Sequence, residues 1–389
     1  MDLLHLLGHN RNWAMDAYFQ NQIGSGFIFG AFSFPYSSLG GKISGYGVSD
    51  YIDVSFFDPQ FYANKKATGG ELASYPFHPL HSAQGDKTEL GGIDSIFHAV
   101  EFQEDKKFLG VIIPNFYKEK VDSLCKNINK INDRLVGREQ NNKKYYLTLP
   151  VPYDMLLDED AIEDILGTVT DKKIVFDGYY LACEGRAEFR SKLCLNFSFM
   201  SNLLTMLRTL KRHNFEVIYS HANFDALVYY ALADIDYITI GTYENLRKFT
   251  NDRYLGEAGG GPSKGWYFSE KLLNFIKADH LSLLRSKRCL DKIANEDNMF
   301  SDVILQPYYA WNIHKPDVHK NYLLAMSKLY NELSQYPQQQ RARLLIDKVE
   351  QAMDVYEDLW SNHRIKLPYE SSDKHLGEWL TFLNANSYD

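Results

Sequence analysis

Apolar residues in this chain fall into short dense runs separated by longer stretches with helical spacing. Phe215 to Arg247 shows the alternation most plainly: Glu216–His221 is a dense run, Asn223 and Asp225 open an apolar stretch through Ala233, and Tyr237–Gly241 is a second run. A strand, a short helix and a further strand of this kind make a βαβ unit, which pairs its strands in parallel with the helix outside. The same reading gives strands over Phe27–Phe34, Tyr51–Phe57, Phe108–Pro114, Tyr145–Leu149 and Ile174–Cys183. Helices are expected over Asn12–Gln22, Lys118–Leu135, Asp158–Leu166 and Phe199–Arg212. An eighth strand, if present, falls at Ile96–Phe102 or Trp266–Phe268. The predicted fold is therefore α/β, a (β/α)8-type barrel, closed or incomplete, over residues 1–255.

Beyond Arg247 the pattern changes. Residues 256–310 read as a glycine-rich linker with a connecting helix over Lys271–Leu284, and residues 311–389 as a C-terminal helical module. Leu323, Met326, Tyr330 and Leu333 mark one helix, and Leu345, Val349, Ala352, Tyr356 and Leu359 a second, antiparallel to it. His375–Leu380 starts a last one.

Composition narrows the class. Of 389 residues, 45% are hydrophobic and 14% aromatic, which is the make-up of a packed globular protein. The net charge of −8 argues against a chain-wide surface for polyanions. Met1–Leu7 is apolar but short and lacks a basic leader, so no secretion signal is expected, and no apolar run is long enough to span a membrane. Cys125, Cys183, Cys194 and Cys289 are widely spaced, which suggests reduced thiols and a cytoplasmic location. His78 and His81 flank Pro79 without a matching carboxylate motif, so neither a metal nor another cofactor is implied.

Candidate chemistry lies at the strand ends. Asp58 and Gln60, Asn115, Glu184 and Arg186, His221 and Asn223, and Glu244 and Arg247 each follow a predicted strand, and a barrel brings such ends to one mouth. Asp58, Glu184 and Glu244 are the acid, base or nucleophile candidates, with His221 as a proton relay. Capping or an ion pair is the plainer role for each. Tyr36, Gln60, Asn115, Arg186, Asn223 and Arg247 are placed to orient a substrate. Arg285, Lys287 and Arg288 form a basic cluster that suits nucleic-acid phosphates, or simply a solvated helix face. Gly259–Gly265 lacks the Gly-Lys-Ser/Thr ending of a phosphate loop and reads as a linker.

The run from Tyr219 through Asp234-Ile235-Asp236 to Gly241 resembles the late-barrel βαβ stretch of the tRNA-guanine transglycosylase family, where a helix ending in an Ile-Asp step leads into the strand bearing the nucleophile. The resemblance implies a barrel and a nucleobase or nucleoside ligand. It does not carry the family's chemistry, because Thr239 stands where the nucleophilic aspartate is expected and the zinc-binding cysteine cluster has no counterpart. The expected function is an enzyme acting on a glycosidic bond of a nucleoside, nucleobase or nucleic-acid ligand. The alternative is a non-catalytic barrel that binds nucleic acid, or a partner protein through the C-terminal helices, within a complex.

Overall fold

In the computed structural model, which describes residues 1–8, 10–63, 70–78, 92–138, 142–186, 193–251 and 265–387, eight parallel strands follow one another around a barrel. β1 (Asp2–Leu7) leads through α1 (Arg11–Asn21) to β2 (Gly26–Gly30), and β3 (Ser55–Asp58) precedes α2 (Ile93–Glu104). β4 (Gly110–Ile113) is followed by α3 (Val121–Leu135), and β5 (Lys144–Val151) by α4 (Tyr153–Leu156) and α5 (Glu159–Val169). β6 (Gly178–Cys183) precedes α6 (Phe197–Arg212), β7 (Glu216–Tyr219) precedes α7 (Ala226–Leu232), and β8 (Tyr237–Ile240) pairs back onto β1. The sheet order is β3-β2-β1-β8-β7-β6-β5-β4. Across the remaining gap between β3 and β4, Leu109 N donates to Ser55 O at 2.9 Å, so the barrel is nearly closed.

The expected (β/α)8-like architecture is present, but its eighth strand is the first segment of the chain. Asp2–Leu7 is buried at every position after Asp2, as a parallel strand covered on both faces must be, and such a strand has no alternation to betray it. Ile96–Phe102 lies within α2, whose buried Ile96, Phe97, Val100 and Gln103 follow helical spacing. Trp266–Phe268 belongs to β9 (Trp266–Ser269), which pairs antiparallel with β10 (Asn274–Lys277) outside the barrel. The helix expected from Lys271 therefore begins only at Ala278, in α8 (Ala278–Ser286). β5 runs past the expected end at Leu149, and Pro150 sits inside it opposite Ala182. Val151 O accepts from Glu184 N on the β6 side, so Pro150 faces the β4 side, where pairing has already stopped at Ile113 and Leu147. No ladder bond is lost there.

α9 (Met299–Ile304) precedes the long pair α10 (Pro316–Ser334) and α11 (Gln338–Ser361), and α12 (Lys374–Asn386) ends the chain. α10 packs on α1 and α11 on α7, so this pair fills the place that a helix after β8 would take in the outer ring. Trp13 of α1 stacks on His319 of α10 with ring centroids 4.8 Å apart, and Arg341 of α11 donates to Tyr230 O of α7 at 3.2 Å. The apolar stripes of α10 and α11 are buried by this docking. Among the described residues no helix is long and apolar enough to cross a membrane.

Two apolar layers result. Leu3, Phe27, Val111, Leu147, Tyr179 and Ile238 point outward under the helices, while Leu4, Ile28, Phe56, Ile112, Tyr146, Tyr180 and Ile218 fill the barrel. Close strand approach at the filled interior demands a glycine at position 178: a Cβ there would stand 2.2 Å from Glu216 O and 2.9 Å from the Tyr146 ring. Backbone cannot retreat from that contact without breaking the β6–β7 ladder. Gly178→Ala is expected to cost several kcal/mol, read as a collapse of the cooperative urea transition; an unchanged midpoint would refute this packing.

Candidate active site

One residue pair beyond the inward apolar positions, the strands change character. Asp58 follows Phe56 by two, Thr148 follows Tyr146, Ser220 follows Ile218 and Thr239 follows Tyr237, and all four polar side chains are buried. Since side chains alternate along a strand, these groups share the barrel interior just below its C-terminal mouth.

Asp58 is the centre of this layer. Its side chain has no exposed surface; Oδ1 accepts from Gln60 N at 2.9 Å and Oδ2 accepts from the Tyr62 hydroxyl at 2.6 Å. The first bond closes a turn across Pro59 and holds Gln60 in the left-handed region at φ 55°. Gln60 Oε1 then accepts from Phe32 N at 2.8 Å, tying the β2 and β3 loops together. Burial pushes the Asp58 carboxyl up to about 6, although bonds from Tyr62, Gln60 N and Tyr180 pull the other way. The Tyr180 phenol reaches into the same group from β6, flanked by Asp58, Tyr62 and Ser220.

Ser220 and His221 follow β7 directly. Ser220 Oγ lies 3.0 Å from His221 Nδ1, and His221 takes a left-handed φ of 52°, which turns its ring off the strand direction. The ring meets Tyr62 at 6.3 Å and Phe249 at 5.7 Å. On its other side His221 lines a cavity of about 30 Å³ together with Asn223, Asp225, Arg247 and Lys248. That is room for about one or two waters. Burial raises the Asp225 carboxyl to about 6 and lowers the Lys248 ammonium, each partly offset by the opposite charge of the other. Arg247, also pushed down by burial, lies over the rings of Phe275 (4.4 Å) and Tyr322 (4.6 Å), fastening the barrel to β10 and α10.

Glu184 is held differently. Oε2 accepts from the Tyr117 hydroxyl at 2.8 Å and from Tyr153 N at 3.2 Å, while Oε1 accepts from Asn251 N at 3.1 Å. Gly185 N also donates to Phe249 O at 3.1 Å. Glu184 thus ties the loops after β4, β5 and β8 together and sets Phe249 against Tyr62 (5.1 Å) and His221. Among the described residues, the rings of Phe249 and Tyr62 link it to Asp58.

Asp58, Gln60 and His221 therefore share one group, and Asn223 and Arg247 join it through the cavity wall. Other predicted residues lie apart. Tyr36 packs its ring on Tyr75 and Phe102 in the outer layer. Asn115 is buried beside β4, accepting from Asn127 Nδ2 at 2.6 Å. Arg186 is paired with Asp154 at 3.2 Å on the surface, and Glu244 is exposed at the start of a short turn. Arg285 donates to Leu305 O at 2.8 Å and so holds α9, while Lys287 and Arg288 are exposed past α8. His81 and residues 252–264, with most of the expected linker, lie outside the described residues.

Tyr62, Tyr180 and Ser220 were not singled out from sequence, and Thr239 only as the residue standing where the resemblance expects an aspartate. Their signal is a polar or phenolic residue at even spacing from an inward apolar one near a strand end. A larger cleft of about 650 Å³ lies away from the barrel mouth, between the β9–β10 turn, α10 and α11, where burial raises Glu270 to about 7. Among the described residues no cluster of His, Cys, Asp and Glu has metal-binding geometry. Compared with protein-family models, with curated proteins and with solved structures, the chain matches none.

Proposed function

We propose that this chain is a barrel enzyme that cleaves or exchanges a glycosidic bond of a nucleoside or nucleobase ligand, with Asp58 as its acid. The observation that carries the reading is a sealed carboxyl at the mouth end of β3, raised to about 6 and faced by the phenols of Tyr62 and Tyr180, with His221 on the far side of Tyr62. A carboxyl that keeps its proton near neutral pH is what leaving-group protonation requires. The half-buried Phe32 and Tyr117 supply flat faces near it, which favours a planar base over an aliphatic ligand. Glu184, with both oxygens committed to backbone and phenol donors, is assigned a positioning role. The binding-only alternative loses its best surface, because the apolar stripes of α10 and α11 are already buried against the barrel.

The test incubates the protein with the common ribonucleosides and bulk tRNA, with and without labelled free nucleobases, and reads base release and base incorporation by mass spectrometry. Turnover should fall by about 10²-fold or more in Asp58→Asn. Absence of both release and exchange across the panel removes the proposal.

A further inference from the structure

The cleft of about 650 Å³ between the β9–β10 turn, α10 and α11 lies away from the barrel mouth and takes no part in the chemistry proposed above. Its volume is that of a small-molecule site. From its charge pattern we infer that it binds a small aliphatic cation, an alkylammonium or alkylguanidinium, with Glu270 as the anionic contact. This site is independent of the glycosidic reading.

Glu270 follows β9 directly and is set on the cleft wall by a fixed backbone. Its N–H donates to Asn295 Oδ1 at 2.7 Å, and Asn295 Nδ2 donates to Phe268 O at 2.9 Å and to Asn321 Oδ1 of α10 at 3.0 Å. The side chain is half-buried, and its Oε1 has neither accessible surface nor a hydrogen-bond partner among the described residues. An ionised carboxyl shut off from water on one side and left bare is costly, and a cationic donor seated against it removes that cost.

The lysines of the cleft are committed elsewhere. Lys271 pairs with Glu296 at 2.9 Å and donates to Asp291 O at 3.2 Å, Lys348 pairs with Glu332 at 2.8 Å, and Lys328 donates to Glu296 O. Among the described lining residues Glu270 and Asp297 are thus the carboxylates without a salt bridge, so the unmet charge is negative and a cation fits it. Leu329 and Val355 add an apolar wall for an alkyl chain. The charged groups around Glu270 are Lys328 and Glu332 from α10, Lys348 from α11, and Lys271, Glu296 and Asp297 from the turns beside it; no histidine is among the described lining residues. Burial raises Glu270 to about 7, against the pull of Lys328 and Lys348. A cation binds the ionised carboxyl, so below about pH 7 binding must expel its proton and affinity must fall with pH.

The experiment titrates the full chain calorimetrically with putrescine, cadaverine and agmatine at matched ionic strength, at about pH 8 and about pH 6, in buffers of different ionisation enthalpy. These probes stay charged over that range. At least one should bind with one-to-one stoichiometry, about tenfold more weakly at about pH 6 than at about pH 8, and release a proton at the lower pH. Glu270→Gln keeps the shape and should weaken binding about tenfold or more at about pH 8, with loss of the proton release. No binding by any of the three overturns the inference. Binding that Glu270→Gln leaves unchanged overturns it too, since that is general attraction to a chain of net charge −8. Inorganic phosphate binding more tightly than every amine would hand the cleft to its lysines and do the same. Should Glu270→Gln fail to fold, the wild-type protein decides alone: amine binding without proton release at about pH 6 removes Glu270 as the contact.

Discussion

Asp58→Asn should make the protein more stable at about pH 8 by roughly 2 to 3 kcal/mol while removing the proposed activity. Burial lifts the Asp58 carboxyl from 3.8 to about 6 in the folded state. Below about pH 4 the folded and unfolded chains both hold this proton, and the residue costs nothing. Between about 4 and 6 the unfolded chain releases it and the folded chain does not, so stability falls as pH rises; above about 6 the loss levels off. Asparagine never ionises, can still accept from Gln60 N, and lets the Tyr62 hydroxyl turn to accept from its amide. Urea melts of both proteins at about pH 4.5 and pH 8 provide the check. The comparison needs the variant at each pH, because buried His5 and His375 are pushed down to about 4 and act in the opposite sense. Their contribution is complete above about 6.5 and fades as acid protonates them, masking Asp58 in the wild-type curve alone. Equal loss of stability at both pH values would mean that Asp58 is an ordinary ionised turn anchor.

Glu184→Ala is the second large effect. Removing the carboxylate strands the Tyr117 hydroxyl and the N–H groups of Tyr153 and Asn251 in a buried setting. At about 1 to 3 kcal/mol for each donor left bare, and with partial relaxation, a total loss of about 3 to 5 kcal/mol is expected. Glu184→Gln should lose only about 1 to 2 kcal/mol, since its carbonyl keeps the two donors at one oxygen position and only Asn251 N is left facing an amide. Function should track the latch: Phe249 is released in the alanine variant, so ligand affinity falls, while the glutamine variant retains turnover. Were Glu184 instead the acid or nucleophile, glutamine would abolish turnover with little change in stability. Denaturant midpoints read beside activity for the two variants separate these outcomes.

The barrel was legible because most of its strands are dense apolar runs of a length no helix uses, spaced by amphipathic helices. α3, α5 and α6 lie within a few residues of their expected spans, and Asp158 caps α5. β1 was not legible, since a six-residue buried strand at the chain start has no periodicity and no flanking helix before it. Trp266–Phe268 is legible as a strand but belongs to a hairpin outside the barrel, and β10 was hidden because Lys271–Leu284 is spaced like a helix, whereas Phe268 and Ile276 are buried and Phe275 half-buried across the hairpin and under α10.

At the site, sequence alone placed Asp58, Gln60, Glu184 and His221 at strand ends, because a strand and the polar residues after it are read locally. It did not say which ends share a group: Asn115, Arg186 and Glu244 lie apart. It could not tell a sealed carboxyl from a bonded one. Asp58 and Glu184 have the same chemistry and the same kind of position, yet one is pushed up toward neutrality with a phenol and a turn N–H for partners and the other is saturated by donors from three loops. That difference comes from desolvation and donor count: the donors to Asp58 are local, but those to Glu184 and the layers that seal Asp58 come from distant segments and exist only once the barrel has closed around them.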